Sequence, residues 1–133
     1  MRFYIGYTEG IILLLMHMEK YTGGCHCKAV TFEVEADLTN VIQCNCSYCA
    51  IKSLLLTFAP TSQFTLLSGE GNLSEYRFNK KMIKHLFCKT CGVQCFGKGK
   101  DGQGNESVAI NVRALDGVAI DQLKLTPFDG KSW

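Results

Sequence analysis

The chain has little of what marks several common protein classes. Its one marked apolar run, residues 11–18, falls short of the roughly 20 apolar residues that a membrane-spanning helix needs. Glu9 precedes the run and no small-residue cleavage site follows it, so it does not read as a signal peptide. Net charge is only +2, too small to imply a polyanion-binding protein, and a nucleic-acid partner is not expected. No stretch keeps helical periodicity beyond one or two turns, which excludes a helical bundle. Internal repeats and low-complexity linkers are also missing, and there are only two prolines. At 133 residues this predicts one domain with a modest core, small enough for metal staples to matter.

What is present alternates with a period of two. Val30, Phe32 and Val34 are interleaved with Thr31, Glu33 and Glu35, a strand with one wet face. Residues 41–44 form a short apolar approach, and 54–59 read as a buried strand stopped by Pro60. Residues 64–68 and 73–78 read as a hairpin around Gly69-Glu70-Gly71-Asn72, a loop of turn formers. Residues 83–87 and 107–112 are further strands, and the glycine-rich stretch 97–104 is a mobile loop or a hairpin tip. Residues 47–53 are the best candidate for a helical turn. The tail from Leu115 holds short elements, with Phe128 and Trp133 docked on the body. The expected class is all-β, with metal knuckles at strand ends. Met18 stands just ahead of the motif-rich region, so residues 1–19 read as an accessory or mis-started segment and 20–133 as the domain.

Seven of the eight cysteines fall into three clusters: Cys25 and Cys27, then Cys44, Cys46 and Cys49, then Cys88 and Cys91. Spacings of one or two residues bring sulfurs to one ion but strain a disulfide. Zinc favours four sulfurs in a tetrahedron, so two, three and two ligands divide naturally into one complete site and one three-cysteine site with an open position. Cys25, Cys27, Cys88 and Cys91 would clip the amino-terminal strand to the later half of the chain. Three thiolates from one turn would leave Zn²⁺ with a net negative charge. Such an ion acidifies water poorly and suits an incoming soft thiolate. A ligand from elsewhere, such as Cys95, or a redox trio are the other readings; the plainer one makes Cys95 a small buried hydrophobe. Clustered thiols without a secretory pattern predict a reducing, cytoplasmic location.

Among the remaining residues, His17, His26 and His85 are candidate ligands or bases, with His26 expected to point outward. Arg77, Lys80, Lys81, Lys84 and His85 form a basic run that reads as a solvated hairpin face. Tyr76, Phe78 and Phe87 follow strand alternation and read as core.

The segments Tyr21-Thr22-Gly23-Gly24-Cys25-His26-Cys27, Cys44-Asn45-Cys46-Ser47-Tyr48-Cys49 and Phe87-Cys88-Lys89-Thr90-Cys91-Gly92 resemble the GFA family. That family includes the glutathione-dependent formaldehyde-activating enzyme and the centromere protein V group. The likeness extends to Ile110-Asn111-Val112-Arg113, Leu115-Asp116-Gly117 and the closing Phe128-Asp129-Gly130-Lys131-Ser132-Trp133, while Lys28 replaces the glycine common after the first pair. The resemblance implies a β-tent, Mss4-like fold with two zinc ions. Cys25, Cys27, Cys88 and Cys91 would be structural ligands, and Cys44, Cys46 and Cys49 the ligands of a catalytic-type zinc. It also implies a carbon–sulfur lyase that joins glutathione and formaldehyde into S-hydroxymethylglutathione. Lys28, Lys52 or Arg113 would hold the thiol's carboxylates. The alternative is a non-enzymatic zinc module that binds a protein or nucleic acid.

Overall fold

In the computed structural model, residues 18–78 and 83–132 are described. The apolar run through residue 17, with His17, and also Lys80, Lys81 and Trp133 lie outside them. The class is all-β. A three-stranded antiparallel sheet is ordered β1 (Met18–Gly24), β2 (Thr31–Asp37), β5 (Phe64–Ser68). A seven-stranded sheet runs β10 (Leu125–Phe128), β3 (Val41–Cys44), β4 (Leu56–Pro60), β9 (Glu106–Asn111), β8 (Phe96–Lys100), β7 (Lys84–Cys88), β6 (Leu73–Tyr76). One short helix, α1 (Ser47–Lys52), follows β3. Among the described residues no helix is long and apolar enough to cross a membrane.

The core lies between the sheets. Alternation along β2 points Phe32, Val34 and Ala36 inward, and each is buried. Phe32 stacks on Phe64 of its own sheet at 5.5 Å between ring centroids and meets Phe96 of the other sheet edge-on at 5.9 Å. Around these rings pack Val30, Val41, Val108, Ile110 and Val112, all fully buried. Each such side chain contributes about 1.5–3 kcal/mol by leaving water.

Two expectations change, and two further features carry no mark in the sequence. The hairpin over residues 64–78 does not form: β5 pairs with β2, whereas β6 pairs with β7 in the other sheet. Between β5 and β6 stands Gly69, at φ +94°, where a Cβ would meet the Ala29 carbonyl oxygen at 2.5 Å. The chain passes tight against the start of β2 and crosses between sheets through the 3-10 turn Glu70–Asn72. Strand β4 is half-wet, with Phe58 52% exposed; the continuously buried pair is Leu54 and Leu55 ahead of it. Pro60 is its last residue, opposite Ser107. Strand β1, unmarked by apolar alternation, pairs with β2 along its whole length, from Met18 opposite Asp37 to Gly24 opposite Thr31. Lastly, β10 runs parallel to β3, beside the second cysteine cluster.

Candidate metal centres

Cys25 and Cys27 sit in the turn that joins β1 to β2, closed by Cys25 N–H donating to the Val30 carbonyl at 3.0 Å. Cys88 ends β7 and Cys91 follows in a turn whose next residue, Gly92, has φ +82°. Gly92 N–H donates back to the Cys88 carbonyl at 2.9 Å. The two turns meet at the seam between the sheets, and the four sulfurs all lie within 4.8 Å of one another. Cys25 to Cys27 and Cys27 to Cys88 are both 3.7 Å. Tetrahedral zinc with bonds of about 2.3 Å separates its sulfurs by about 3.8 Å, so this cage fits the ion.

Donors already converge on the sulfurs. Cys88 Sγ accepts from Thr90 N–H at 3.3 Å, Cys91 N–H at 3.5 Å and Asn72 Nδ2 at 3.3 Å. Val30 N–H reaches Cys25 Sγ at 3.3 Å. Hydrogen bonds from the backbone of Val93 and Cys27 hold Cys91 down at about 6. Cys27 accepts one from Ala29, yet desolvation and its thiol neighbours push it up to about 11. The thiols of this group are thus unequal: Cys91 ionises readily and Cys27 resists. Cys95 stays apart: it is buried, and burial, then the charge of Cys25, Cys91 and Cys88, push it up to about 12. It belongs to neither sulfur group among the described residues.

The second group is built on the end of β3 and the start of α1. Cys44 closes the strand, Cys46 caps the helix by accepting from Cys49 N–H at 3.3 Å, and Cys49 lies buried in the first turn. Cys46 N–H donates to Cys44 Sγ at 3.4 Å. All three sulfurs lie within 4.8 Å of one another, a soft donor set that could hold zinc and leaves one position to an outside ligand. Burial pushes Cys49 up, reinforced by Cys46 and Cys44. Cys46 is lowered because hydrogen bonds from Cys49, Cys44 and the Tyr48 backbone outweigh its desolvation.

Beside Cys44 and Cys49 opens a cleft of about 420 Å³, also lined by Gln43, Ser53, Arg113 and Pro127. Arg113 is anchored there by Nε donating to the Ser53 carbonyl at 2.9 Å. Of the three basic residues expected near the substrate, only Arg113 lines this cleft. Lys28 sits on the four-cysteine turn and pairs with Asp116 at 3.8 Å. Lys52 places its ammonium over the rings of Tyr48 and Phe87, at 5.5 and 5.4 Å from the centroids.

His26 points into solvent, as expected. His85 does not belong to the basic face: it is buried, with its ring 4.1 Å from that of Tyr48. Burial, and then Lys52's charge, hold its pKa below the ordinary value. Tyr76 is 49% exposed and stacks on Tyr48 with Phe78, forming a surface aromatic group instead of core. Tyr48 in turn donates to Gln94 Oε1.

Sequence reasoning missed the segment after β10. Asn45 N–H donates to the Phe128 carbonyl at 3.1 Å, and Asn45 Nδ2 donates to Asp129 Oδ1 at 3.0 Å. Asn45 Oδ1 accepts from Lys131 N–H at 2.8 Å. Gly130 lies against the sulfurs, where a Cβ would run into Cys44 Sγ. The signal was the Phe128-Asp129-Gly130 stretch of the family resemblance, to which spacing alone assigned no partner.

Residues 20–128 match the family model described as glutathione-dependent formaldehyde-activating enzyme. The fold is similar to a crystal structure of a Rhodobacter sphaeroides protein, with a TM-score of 0.69 and 31% identity, covering 79% of this chain and 99% of that one. With both sulfur groups assembled inside the matched span, the chain belongs to the glutathione-dependent formaldehyde-activating (GFA) family.

Proposed function

We propose that the protein is a zinc-dependent carbon–sulfur lyase that joins a small thiol, glutathione or a relative, to formaldehyde. The observation that carries this reading is the three-sulfur group opening onto a cleft with a cation on its wall. In this reading Cys25, Cys27, Cys88 and Cys91 hold a structural zinc, and Cys44, Cys46 and Cys49 hold the second. When bound, the second ion would keep the incoming thiol ionised at neutral pH.

The chain's own residues do the rest. Arg113 meets a carboxylate of the thiol, with its fork pre-set by the Ser53 carbonyl. Residues of β3 and α1 wall the cleft and hold the sulfur nucleophile beside the small aldehyde. A bimolecular addition thereby becomes effectively unimolecular, a large advantage for two small reactants. A carbon–sulfur bond forms, the carbonyl π bond breaks, and the proton lost by the thiol returns to the new hydroxyl from solvent. The reverse reaction releases formaldehyde. The two-sheet body is read as the β-tent, Mss4-like architecture, and eight free cysteines suit the reducing cytoplasm.

The test is formation of the hydroxymethyl adduct by NMR, measured above the spontaneous rate with zinc-loaded protein. Cys46→Ser should abolish the excess rate. Arg113→Leu should raise KM for glutathione about 10-fold or more, as expected for a lost charge-assisted hydrogen bond of roughly 1.5–3 kcal/mol. An undiminished rate in folded Cys46→Ser sinks the catalytic assignment and favours a binding module.

A further inference from the structure

We propose that residues 128–132 are a positioning element for the three-cysteine centre, with Gly130 as its gauge and Asn45 as its latch. The proposal rests on reading that centre as a metal site, and assigns it a geometry and a direction of entry.

Three observations converge. First, the backbone at Gly130 fills the space beside two of the sulfur residues. A Cβ there would collide with Cys44 Sγ and approach Cys46 Cβ to 3.3 Å and the Phe128 ring to 3.6 Å. No left-handed backbone requires glycine at this position: Gly130 is not among the positive-φ residues. Space against the sulfurs is what the missing side chain provides.

Second, the segment is tied to the ligand turn and not merely draped over it. Asn45, between Cys44 and Cys46, uses its backbone N–H and both ends of its amide on Phe128, Asp129 and Lys131. Asp129 is in turn braced by Ser132 Oγ at 2.7 Å. Its carboxyl is held below the usual range by the Ser132 and Asn45 hydrogen bonds. Third, β10 runs in register beside β3 up to Phe128 opposite Cys44, so the wall is delivered by a paired strand.

The consequence is directional. The wall stands at Cys44 and Cys46, whereas the cleft with Arg113 is lined by Cys44, Asn45 and Cys49 and not by Cys46. An outside ligand therefore reaches the centre along the Cys44–Cys49 edge, from the side where Arg113 waits. Gly130 is a positioning residue that acts through Cys44 and Cys46; Asn45, which also lines the cleft, ties the segment to the ligand turn.

Cobalt(II) provides a probe that does not depend on turnover. Full-length protein is titrated with cobalt, reading metal stoichiometry, affinity by chelator competition and the visible d–d bands. Wild type should take two ions. Gly130→Ala should keep the first ion and its thermal midpoint, bind the second at least about 10-fold more weakly, and shift the d–d bands of that second site. Asp129→Ala, which loosens the latch without a steric clash, should weaken the second ion by a smaller factor. Should Gly130→Ala fail to fold, Asp129→Ala decides alone.

Two ions bound with wild-type affinity and spectrum in the deciding variant would overturn the positioning role and leave the metal centre standing. A wild-type protein that takes only one ion would overturn both.

Discussion

Replacing Cys88 with serine should unfold the protein, and replacing Cys46 with serine should leave it folded. Cys88 is 1% exposed, lies at the seam between the sheets, and gathers hydrogen bonds from Thr90, Cys91 and Asn72 on one sulfur. A serine oxygen sits closer to its Cβ and is a poor zinc ligand, so the cage drops to three sulfurs. Structural zinc contributes about 10–16 kcal/mol of apparent binding free energy in small modules, against about 5–15 kcal/mol for the stability of a whole domain. If the four-sulfur group holds a structural zinc as proposed, the loss is comparable to everything that keeps the chain folded. Cys46 is different: it is half-buried and caps α1 by accepting from Cys49 N–H. Serine is among the best residues for that cap, so local structure survives while a metal held by the three-sulfur group, as proposed, would lose a ligand. Circular dichroism, urea unfolding and metal content per chain, measured on both variants, make the comparison. Cys88→Ser with a cooperative transition at the wild-type midpoint would refute the fold-holding role of the four-sulfur group.

Further outcomes can be checked in the same denaturation assays. Lys28 stands at φ +67°, which costs a side chain about 1–2 kcal/mol. Lys28→Gly should raise stability by up to about 1 kcal/mol after the added freedom of the unfolded chain, and the exposed Asp116 pair it gives up is worth little. Phe32→Ala should cost about 3–5 kcal/mol because Phe32 is fully buried between Phe64 and Phe96, whereas Phe58→Ala on the wet face of β4 should cost under about 1 kcal/mol. His85 has a folded pKa below its unfolded value, so the unfolded chain takes up the proton first as pH falls. Stability linked to it is complete well above the ordinary value of 6.5 and is lost as pH falls from there toward the lowered folded pKa. His85→Phe, which keeps a ring against Tyr48, should be less sensitive to that acid shift than wild type in urea midpoints at pH 7.5 and 5.5.

Local features of the fold and site were legible wherever the signal lay within a few residues. The alternation of Val30, Phe32 and Val34 marks β2, and the cysteine spacings mark both sulfur groups, because these patterns come from the pleat and from ligand reach. Features that depend on partners far along the chain were not. Strands β5 and β6 carry turn formers between them, as a hairpin would. They join different sheets, and Gly69, having no Cβ, lets the chain between them pass tight against the start of β2. Strand β1 has no apolar alternation because it lies at a sheet edge, and its place is set by backbone pairing with β2. Tyr76, Phe78 and His85 share the composition of a core strand and a basic run. Their stacking on Tyr48 depends on where α1 lands. Arg113 could be separated from Lys28 and Lys52 only once β9 had carried it to the end of the cleft.

The parallel pairing of β10 with β3 has a consequence for synthesis. Translation delivers Cys44, Cys46 and Cys49 early, yet the strand that lies beside Cys44 is made more than 80 residues later, since Asn45 and Asp129 are 84 apart. The four-sulfur cage can close once Cys91 has emerged from the ribosome. The three-sulfur turn stays open on its Gly130 side for roughly another 40 residues of elongation. During that interval a nascent chain would expose Cys44 and Cys46 on the side that residues 128–132 later cover. Oxidants and adventitious soft metals would find this turn most accessible on the incomplete chain.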